Sequence, residues 1–179
     1  MEPLQIAEKI SQAFPGEVLE TSSFRDQVSV HLKKDRLYDI CLMLRQDPEL
    51  DFDYLVDVCG VDYMGKKTPR FEAVYHLYSI TRRHFIRLRV QVPEEDAAVR
   101  SVVPVWQGAN WHERECFDML GIRFDGDPDL RRVLLPEDWE GHPLRKDYPV
   151  EGFKGEEDWP GYTEVVELSR KLKEFEWGN

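Results

Sequence analysis

The residues best suited to chemistry in this chain fall in two stretches. ANWHERECFDMLGI, residues 109–122, sets His112, Glu113, Arg114, Glu115, Cys116 and Asp118 almost side by side. DPDLRRVLLPEDWEGHPLRKDYPVEGF, residues 127–153, strings Arg131, Arg132, His142, Arg145, Lys146 and Asp147 between prolines. A carboxyl group beside a histidine offers general acid–base catalysis, mixed His, Cys and Glu offer metal ligation, and clustered arginines offer a grip on carboxylate or phosphate.

Spacing argues against catalysis and against a metal in the first stretch. Successive helix positions point about 100° apart, so His112 and Glu113 do not face each other as a dyad. No pair of ligands repeats at i, i+4 as in HExxH, so no metal site is expected. The stretch reads instead as a capped helix, with Asn110 as N-cap, Glu113 closing a capping box and Gly121 ending the helix in a left-handed turn. Trp111, Glu115 and Asp118 then share one stripe, and Arg114 reaches Asp118 one turn on. Glu113, Arg114, Glu115 and Asp118 are expected to anchor a neighbouring loop through charge-assisted hydrogen bonds.

The second stretch holds no phosphate-binding loop, because neither GxGxxG nor GxxxxGK[ST] occurs in the chain. His142 has no Ser or Cys nucleophile in evident reach, so a hydrogen-bonding role is expected for it rather than a catalytic one. Pro128, Pro136, Pro143, Pro149 and Pro160 break any helix or central strand between residues 125 and 161. A structureless segment this long is usually functional or ordered by something else. The expectation is therefore an extended arm lying on another protein, with Arg131, Arg132, His142, Arg145, Lys146 and Asp147 making polar contacts. Leu134, Trp139, Leu144 and Tyr148 serve as its apolar anchors. A rival of a different class is a stand-alone hydrolase or lyase that brings Glu115, Asp118 and His142 together in space.

The elements that must position these residues show in the periodicity. Leu4, Ala7, Ile10 and Phe14 mark one face of a first helix, with Pro15-Gly16 as its stop. Residues 17–21 and 27–32 read as a hairpin joined by the polar SSFRD segment. Asp35 is expected to cap a second helix through Arg45. Three β-rich runs follow at 52–63, 70–81 and 84–92; in the last, Ile86, Leu88, Val90 and Val92 share one face and Arg87, Arg89 and Gln91 the other. That Arg face, with Arg82 and Arg83, reads as charge paired to neighbouring carboxylates, ahead of a docking surface for an acidic partner. Residues 96–106 read as helical, and residues 162–175 as weakly so. The fold class is α+β: a two-layer domain with a mixed, mostly antiparallel sheet of about five strands packed by helices, followed by the Pro-rich arm. The expected division is a core over residues 1–124 and an arm over 125–179.

Composition narrows the partners. With 24 Lys+Arg against 35 Asp+Glu among 179 residues, the net charge of −11 repels phosphate backbones, so nucleic-acid binding is not expected. No apolar run approaches the roughly 18 residues of a membrane helix. The start, MEPLQIAEKI, lacks the layout of a secretory or transit peptide, and Cys41, Cys59 and Cys116 are odd in number and widely spaced. A cytosolic chain in a reducing compartment is expected.

The run ERECFDMLGIRFDGDPDLRRVLLPEDWEGHPLRKDYP, residues 113–149, resembles the signature of the C subunit of the proton-translocating NADH:quinone oxidoreductase, respiratory complex I of bacterial type. A weaker likeness upstream is LVDVCGVDY, residues 55–63. The resemblance implies a non-catalytic scaffold in the peripheral arm of the complex, with no cofactor of its own. FMN, iron–sulfur clusters, NADH and quinone are implied in other subunits. The implied partners are the quinone-site and iron–sulfur subunits, on the cytoplasmic side of the plasma (inner) membrane, with membrane association only through the complex. Related membrane-bound hydrogenases and other quinone-linked complexes carry similar subunits, which keeps that alternative open.

Overall fold

The computed structural model describes residues 1–149 together with Glu167, Leu168 and Lys171. The weak helix expected at 162–175 therefore lies outside the described residues apart from those three positions. Met1–Asp147 form one compact unit and Tyr148–Asn179 a second. The first unit runs α1 (Pro3–Ala13), β1 (Val18–Phe24), β2 (Gln27–Leu32), α2 (Leu37–Gln46), β3 (Tyr54–Asp62), β4 (Phe71–Ser79), β5 (His84–Val92), β6 (Ala98–Arg100), α3 (Ala109–Leu120) and β7 (Arg123–Asp125).

The period-two run of β5 decides which face of the sheet is covered. Ile86, Leu88, Val90 and Val92 are buried with Phe71, Ala73, Tyr75 and Leu77 of β4, and they share a core with Ile6, Ala7 and Ile10 of α1 and Leu37, Ile40, Cys41 and Leu44 of α2. Each Val, Leu, Ile or Phe among them contributes about 1.5–3 kcal/mol by leaving water. The five-stranded sheet has the order β1-β2-β5-β4-β3. β2 pairs parallel with β5 and the other neighbours pair antiparallel, so the fold is α+β with a mixed, mostly antiparallel sheet.

Four local expectations are corrected. SSFRD is not a loop: Ser22, Ser23 and Phe24 pair with Ser29, Val28 and Gln27, and the turn is only Arg25-Asp26, both with positive φ, as a tight hairpin demands. Residues 96–106 are not a helix, because Ala98–Arg100 pair parallel with Arg123–Asp125. The buried positions Ala98, Val99, Val102 and Trp106 mimic helical spacing but arise from a short strand followed by turns. Asp35 does not cap α2, whose N-cap residue is Arg36, without a side-chain cap bond.

At α3 the N-cap residue is Gly108 rather than Asn110, again without a side-chain cap bond. Asn110 instead donates from Nδ2 to Asp127 Oδ1 at 3.0 Å, and Glu113 is turned away from the helix end. The other end of α3 behaves as its sequence requires: Gly121 closes it at φ 73°. A side chain there would also press on His142 and Arg145. Gly60 of β3 lets α3 lie close, since a Cβ at that position would stand 2.3 Å from Leu120 Cδ1 and 2.9 Å from Cys116 Sγ.

Candidate functional site

The buried polar residues of α3 face the segment that follows β7. Asp118 is wholly buried, and its carboxylate is a hub. Oδ1 accepts from Arg132 Nη1 at 2.7 Å, while Oδ2 accepts the main-chain N–H groups of Val133, Leu134 and Leu135 at 3.0, 2.8 and 2.9 Å. Burial alone pushes this carboxyl up, but Arg132 and the three amides outweigh it and hold the group below the usual Asp range. Arg132 Nη2 also donates to the carbonyls of Trp139 and Gly141, so one guanidinium ties both ends of a loop to the helix.

Arg114 completes this clamp from the same helix. Its Nε and Nη2 donate to the carbonyl oxygens of Arg131 and Arg132, each at 3.1 Å, and its guanidinium stacks 4.9 Å from the Trp111 ring. The expected i, i+4 pairing of Arg114 with Asp118 is replaced: each of the two holds the loop, not the other. His142 Nδ1 meets the main-chain oxygen of Asp118 at 3.0 Å, and Arg145 Nε donates to Leu120 O at 2.7 Å. Burial lowers the pKa of His142, and the Arg145 and Arg132 charges add to that, against the Asp118 carbonyl.

A second hub binds the end of the segment to the sheet. Arg70 Nε and Nη2 hold Asp62 at 2.9 and 2.8 Å, and its Nη1 and Nη2 hold Asp147 at 3.1 and 2.8 Å. Nη1 also donates to Glu94 at 2.6 Å, and the Lys146 amide donates to Asp62 Oδ2 at 2.9 Å. The bidentate Arg70 contact, against burial and helped by the Lys146 and Met64 amides, takes the Asp62 carboxyl down to about 2; Arg70 itself is raised by the same pair.

Glu113 stands apart from both hubs. It is fully buried; Oε1 accepts the Val102 N–H at 2.8 Å, while Oε2 and the neighbouring Asp127 Oδ2 are enclosed with no hydrogen-bond partner among the described residues. Burial pushes the Glu113 carboxyl up to about 8, against hydrogen bonds from Ser101 and Val102, and Asp127 reinforces the rise.

Of the residues expected to anchor the segment, Glu113, Arg114 and Asp118 are buried on its side of α3, whereas Glu115 is exposed. Among the expected interface residues, Arg132, His142, Arg145 and Asp147 are engaged within the chain. Arg131 is exposed and paired with Asp129 at 3.0 Å; Leu134 and Leu144 are 61% and 56% exposed. Trp139 and Tyr148 are half-buried and Lys146 is exposed. The hydrolase trio does not converge: His142 meets a carbonyl rather than the Asp118 carboxylate, and Glu115 faces solvent. Sequence reasoning missed Asp62, Arg70 and Glu94, which carried only the signal of charges flanking β-rich runs. It also missed Trp111 as an exposed aromatic, at 62% exposure beside Leu134 and Leu144 in kind.

On the Arg face of β5 only Arg89 is paired to a carboxylate as expected, among the described residues; Arg87 bonds neutral partners and Arg82 Nη2 donates to Pro48 O at 2.6 Å. Arg89 Nε and Nη2 hold the buried Glu72 at 2.9 and 2.6 Å, with Lys67 on the other carboxylate oxygen, and Arg87 Nε donates to His76 Nε2 at 2.9 Å.

Residues 30–154 match the family model described as respiratory-chain NADH dehydrogenase, 30 kDa subunit. The C subunit of the NADH-quinone oxidoreductase of Roseiflexus sp. (strain RS-1) is 51% identical over 145 residues, spanning 81% of this chain and 83% of its own. That of Geobacter sulfurreducens is 44% identical over 144 residues, spanning 80% and 88%. A solved trypsin-resistant fragment of Nqo5, residues 1–134, superposes with a TM-score of 0.62 at 29% identity, covering 73% of this chain and all of the fragment. A chain of an archaeal membrane-bound sulfane sulfur reductase superposes with a TM-score of 0.69 over 100% of this chain and 96% of its own; at 18% identity, that likeness speaks to the fold alone.

Proposed function

The chain belongs to the family of the 30 kDa subunit of respiratory-chain NADH dehydrogenase, the C subunit of NADH-quinone oxidoreductase, and from that premise we propose that its own work is assembly and positioning rather than bond-making. In this reading electrons pass from NADH through FMN and iron–sulfur centres of other subunits to quinone, coupled to proton translocation, and this chain holds no redox centre. It stands in the peripheral arm on the cytoplasmic side of the bacterial plasma membrane, against the quinone-site and iron–sulfur subunits. The segment from residue 125 onward carries the docking surface.

The observation that carries this reading is the use to which the reactive side chains are put. The Asp118 carboxylate accepts four donors, Arg132 and Arg114 are spent on carbonyls and carboxylates of the same chain, and Glu113 is sealed from solvent. These groups fix the shape of the segment and leave Leu134 and Leu144 outward. Exposed Leu134 and Leu144 are the kind of anchor that a partner pocket buries, at about 1.5–3 kcal/mol for each side chain fully covered.

The test is the double substitution Leu134→Asp and Leu144→Asp in the intact operon. Folding of the purified chain should be unchanged, since neither side chain is in the core, while co-purification with the quinone-site subunit is lost. Normal recovery of the whole complex with both substitutions in place would refute the assignment of this surface.

A further inference from the structure

At the free edge of the sheet, on the face opposite the main core, Asp57 and Cys59 of β3 and His76 of β4 present a carboxylate oxygen, a thiol sulfur and a ring nitrogen, all within 4.8 Å of one another. We propose that these three side chains form a binding site for one borderline divalent metal ion of the zinc class, with a fourth coordination position left open.

The backbone builds this cluster by a specific irregularity. Strict alternation from Leu55, which is buried in the core, would place residue 57 on the core face as well. The register of β3 against β4 slips between Leu55 and Asp57, however, leaving Val56 as the extra residue. A bulge of this kind re-aims the side chains that follow it. Asp57 is thereby turned to the opposite face, directly across from His76, and Cys59 follows it two residues on, across from Val74. Cross-strand neighbours on one face have Cβ atoms about 4.5–5.5 Å apart, close enough for three short side chains to converge on one ion.

The donor set selects the ion. A thiolate, an imidazole and a carboxylate suit zinc or cobalt(II), whereas magnesium and calcium take oxygen ligands. Ligand distances of about 2.0–2.3 Å in a tetrahedral zinc site put donor atoms roughly 3.3–3.8 Å apart, so side-chain rotations of about an ångström close the cluster. Asp57 and the Cys59 thiolate together offset the two positive charges of the ion. Burial, with Asp57 beside it, holds the Cys59 thiol protonated above its ordinary range, so binding releases that proton to solvent.

Two neighbours modulate the site. His112 Nδ1 of α3 stands 3.2 Å from Asp57 Oδ1 and orients the carboxylate. His76 Nδ1 faces Asp57 Oδ2 at 3.8 Å, and its Nε2 accepts from Arg87. An ion on Nδ1 moves the ring proton to Nε2, so Arg87 must release the ring and retain its contacts with Gln27 and Ser29. Two of the three ligands, Asp57 and Cys59, also line a cavity of about 170 Å³ together with Glu115 and Cys116, from which a water molecule or a carboxylate can complete the tetrahedron.

Titration of the purified full-length chain with cobalt(II) tests the proposal. One equivalent should bind with the absorption of a thiolate–cobalt bond. Cys59→Ser should abolish that absorption, and Asp57→Asn and His76→Gln should each weaken binding at least tenfold, with metal-free melting curves near that of the parent. Alkylation mapped by mass spectrometry needs no variant: zinc should protect Cys59 and leave the rates at Cys41 and Cys116 unchanged. Absence of thiolate–cobalt absorption, its persistence in Cys59→Ser, or unchanged alkylation of Cys59 under saturating zinc would each overturn the assignment.

Discussion

Replacing Asp118 by Asn removes one charge, changes almost no volume and strikes the hub of the α3 clamp. The carboxylate is fully buried and accepts from Arg132 and from three consecutive amides at 2.7–3.0 Å. Asn supplies one acceptor oxygen and an NH2 group, so either Arg132 or the three amides must face a donor. Hydrogen bonds to an ionised acceptor contribute about 1.5–3 kcal/mol each. Removing one partner of a buried pair costs about 3–5 kcal/mol, because the other charge is left uncompensated. These figures overlap rather than add, and a loss of about 4 kcal/mol is expected, a large share of the roughly 5–15 kcal/mol of a typical domain. At about 2–4 °C per kcal/mol for a chain of this size, the melting midpoint falls by roughly 8–16 °C. Urea unfolding followed by circular dichroism should show a lower midpoint with unchanged slope. Arg132→Met should cost a similar amount, and the double variant much less than the sum of the two, because they share one interaction. The Asp118 pKa lies below its unfolded value, so its stabilisation is present above about pH 4 and fades as pH falls through the folded value; the gap between parent and Asp118→Asn should close there. A loss under about 1 kcal/mol at neutral pH, or strict additivity with Arg132→Met, would refute the hub.

Glu113 carries the opposite sign. Its folded pKa of about 8 lies above the unfolded value, so between roughly pH 4.3 and 8 the folded chain keeps a proton that the unfolded chain has lost, and stability declines with rising pH by up to about 1.4 kcal/mol per unit. Glu113→Gln should flatten that decline in denaturation series at several pH values; parallel profiles for the two proteins would count against a proton retained on the buried Glu113 carboxyl. Asp62, at about 2, stabilises above its unfolded value of about 3.9 and loses that contribution as pH falls toward 2; Arg70→Gln should remove it and speed hydrogen exchange at the Lys146 amide, whereas unchanged exchange would show that Arg70 does not hold this segment. Gly60→Ala places a methyl group 2.3 Å from Leu120 Cδ1, so the Leu120 side chain or α3 must shift at a cost of about 1–3 kcal/mol, measurable as a lower urea midpoint; an undiminished midpoint would mean that the packing of α3 on β3 has slack.

The elements themselves were legible wherever a local period carried them. The alternation from His84 to Val92 and the β-rich run ending in Leu32 match β5 and β2 residue for residue, and Gly121 marks the left-handed end of α3. The errors have a common cause. Ala98, Val99, Val102 and Trp106 are spaced like a helical face, but Ala98–Arg100 are claimed by the strand at Arg123–Asp125, a partner that no local window contains. Likewise Asn110 and Glu113 have the types and spacing of a capping box, yet Asp127 and Val102 compete for their side chains and win.

The amino-acid sequence by itself determined the fold class, the order of the sheet-forming runs and, through the motif at residues 113–149, the family. It also singled out α3 and the segment after it, because periodicity and motif density are properties of neighbours along the chain. Only the tertiary structure decided which charges meet. Arg70 reaches Asp147 across 77 positions, and Asp118 takes Arg132 rather than Arg114. With 35 acidic and 24 basic side chains, local pattern leaves those pairings degenerate. Burial resolves them, since an ionised group leaves water only where oppositely charged or hydrogen-bonding groups are already held in place.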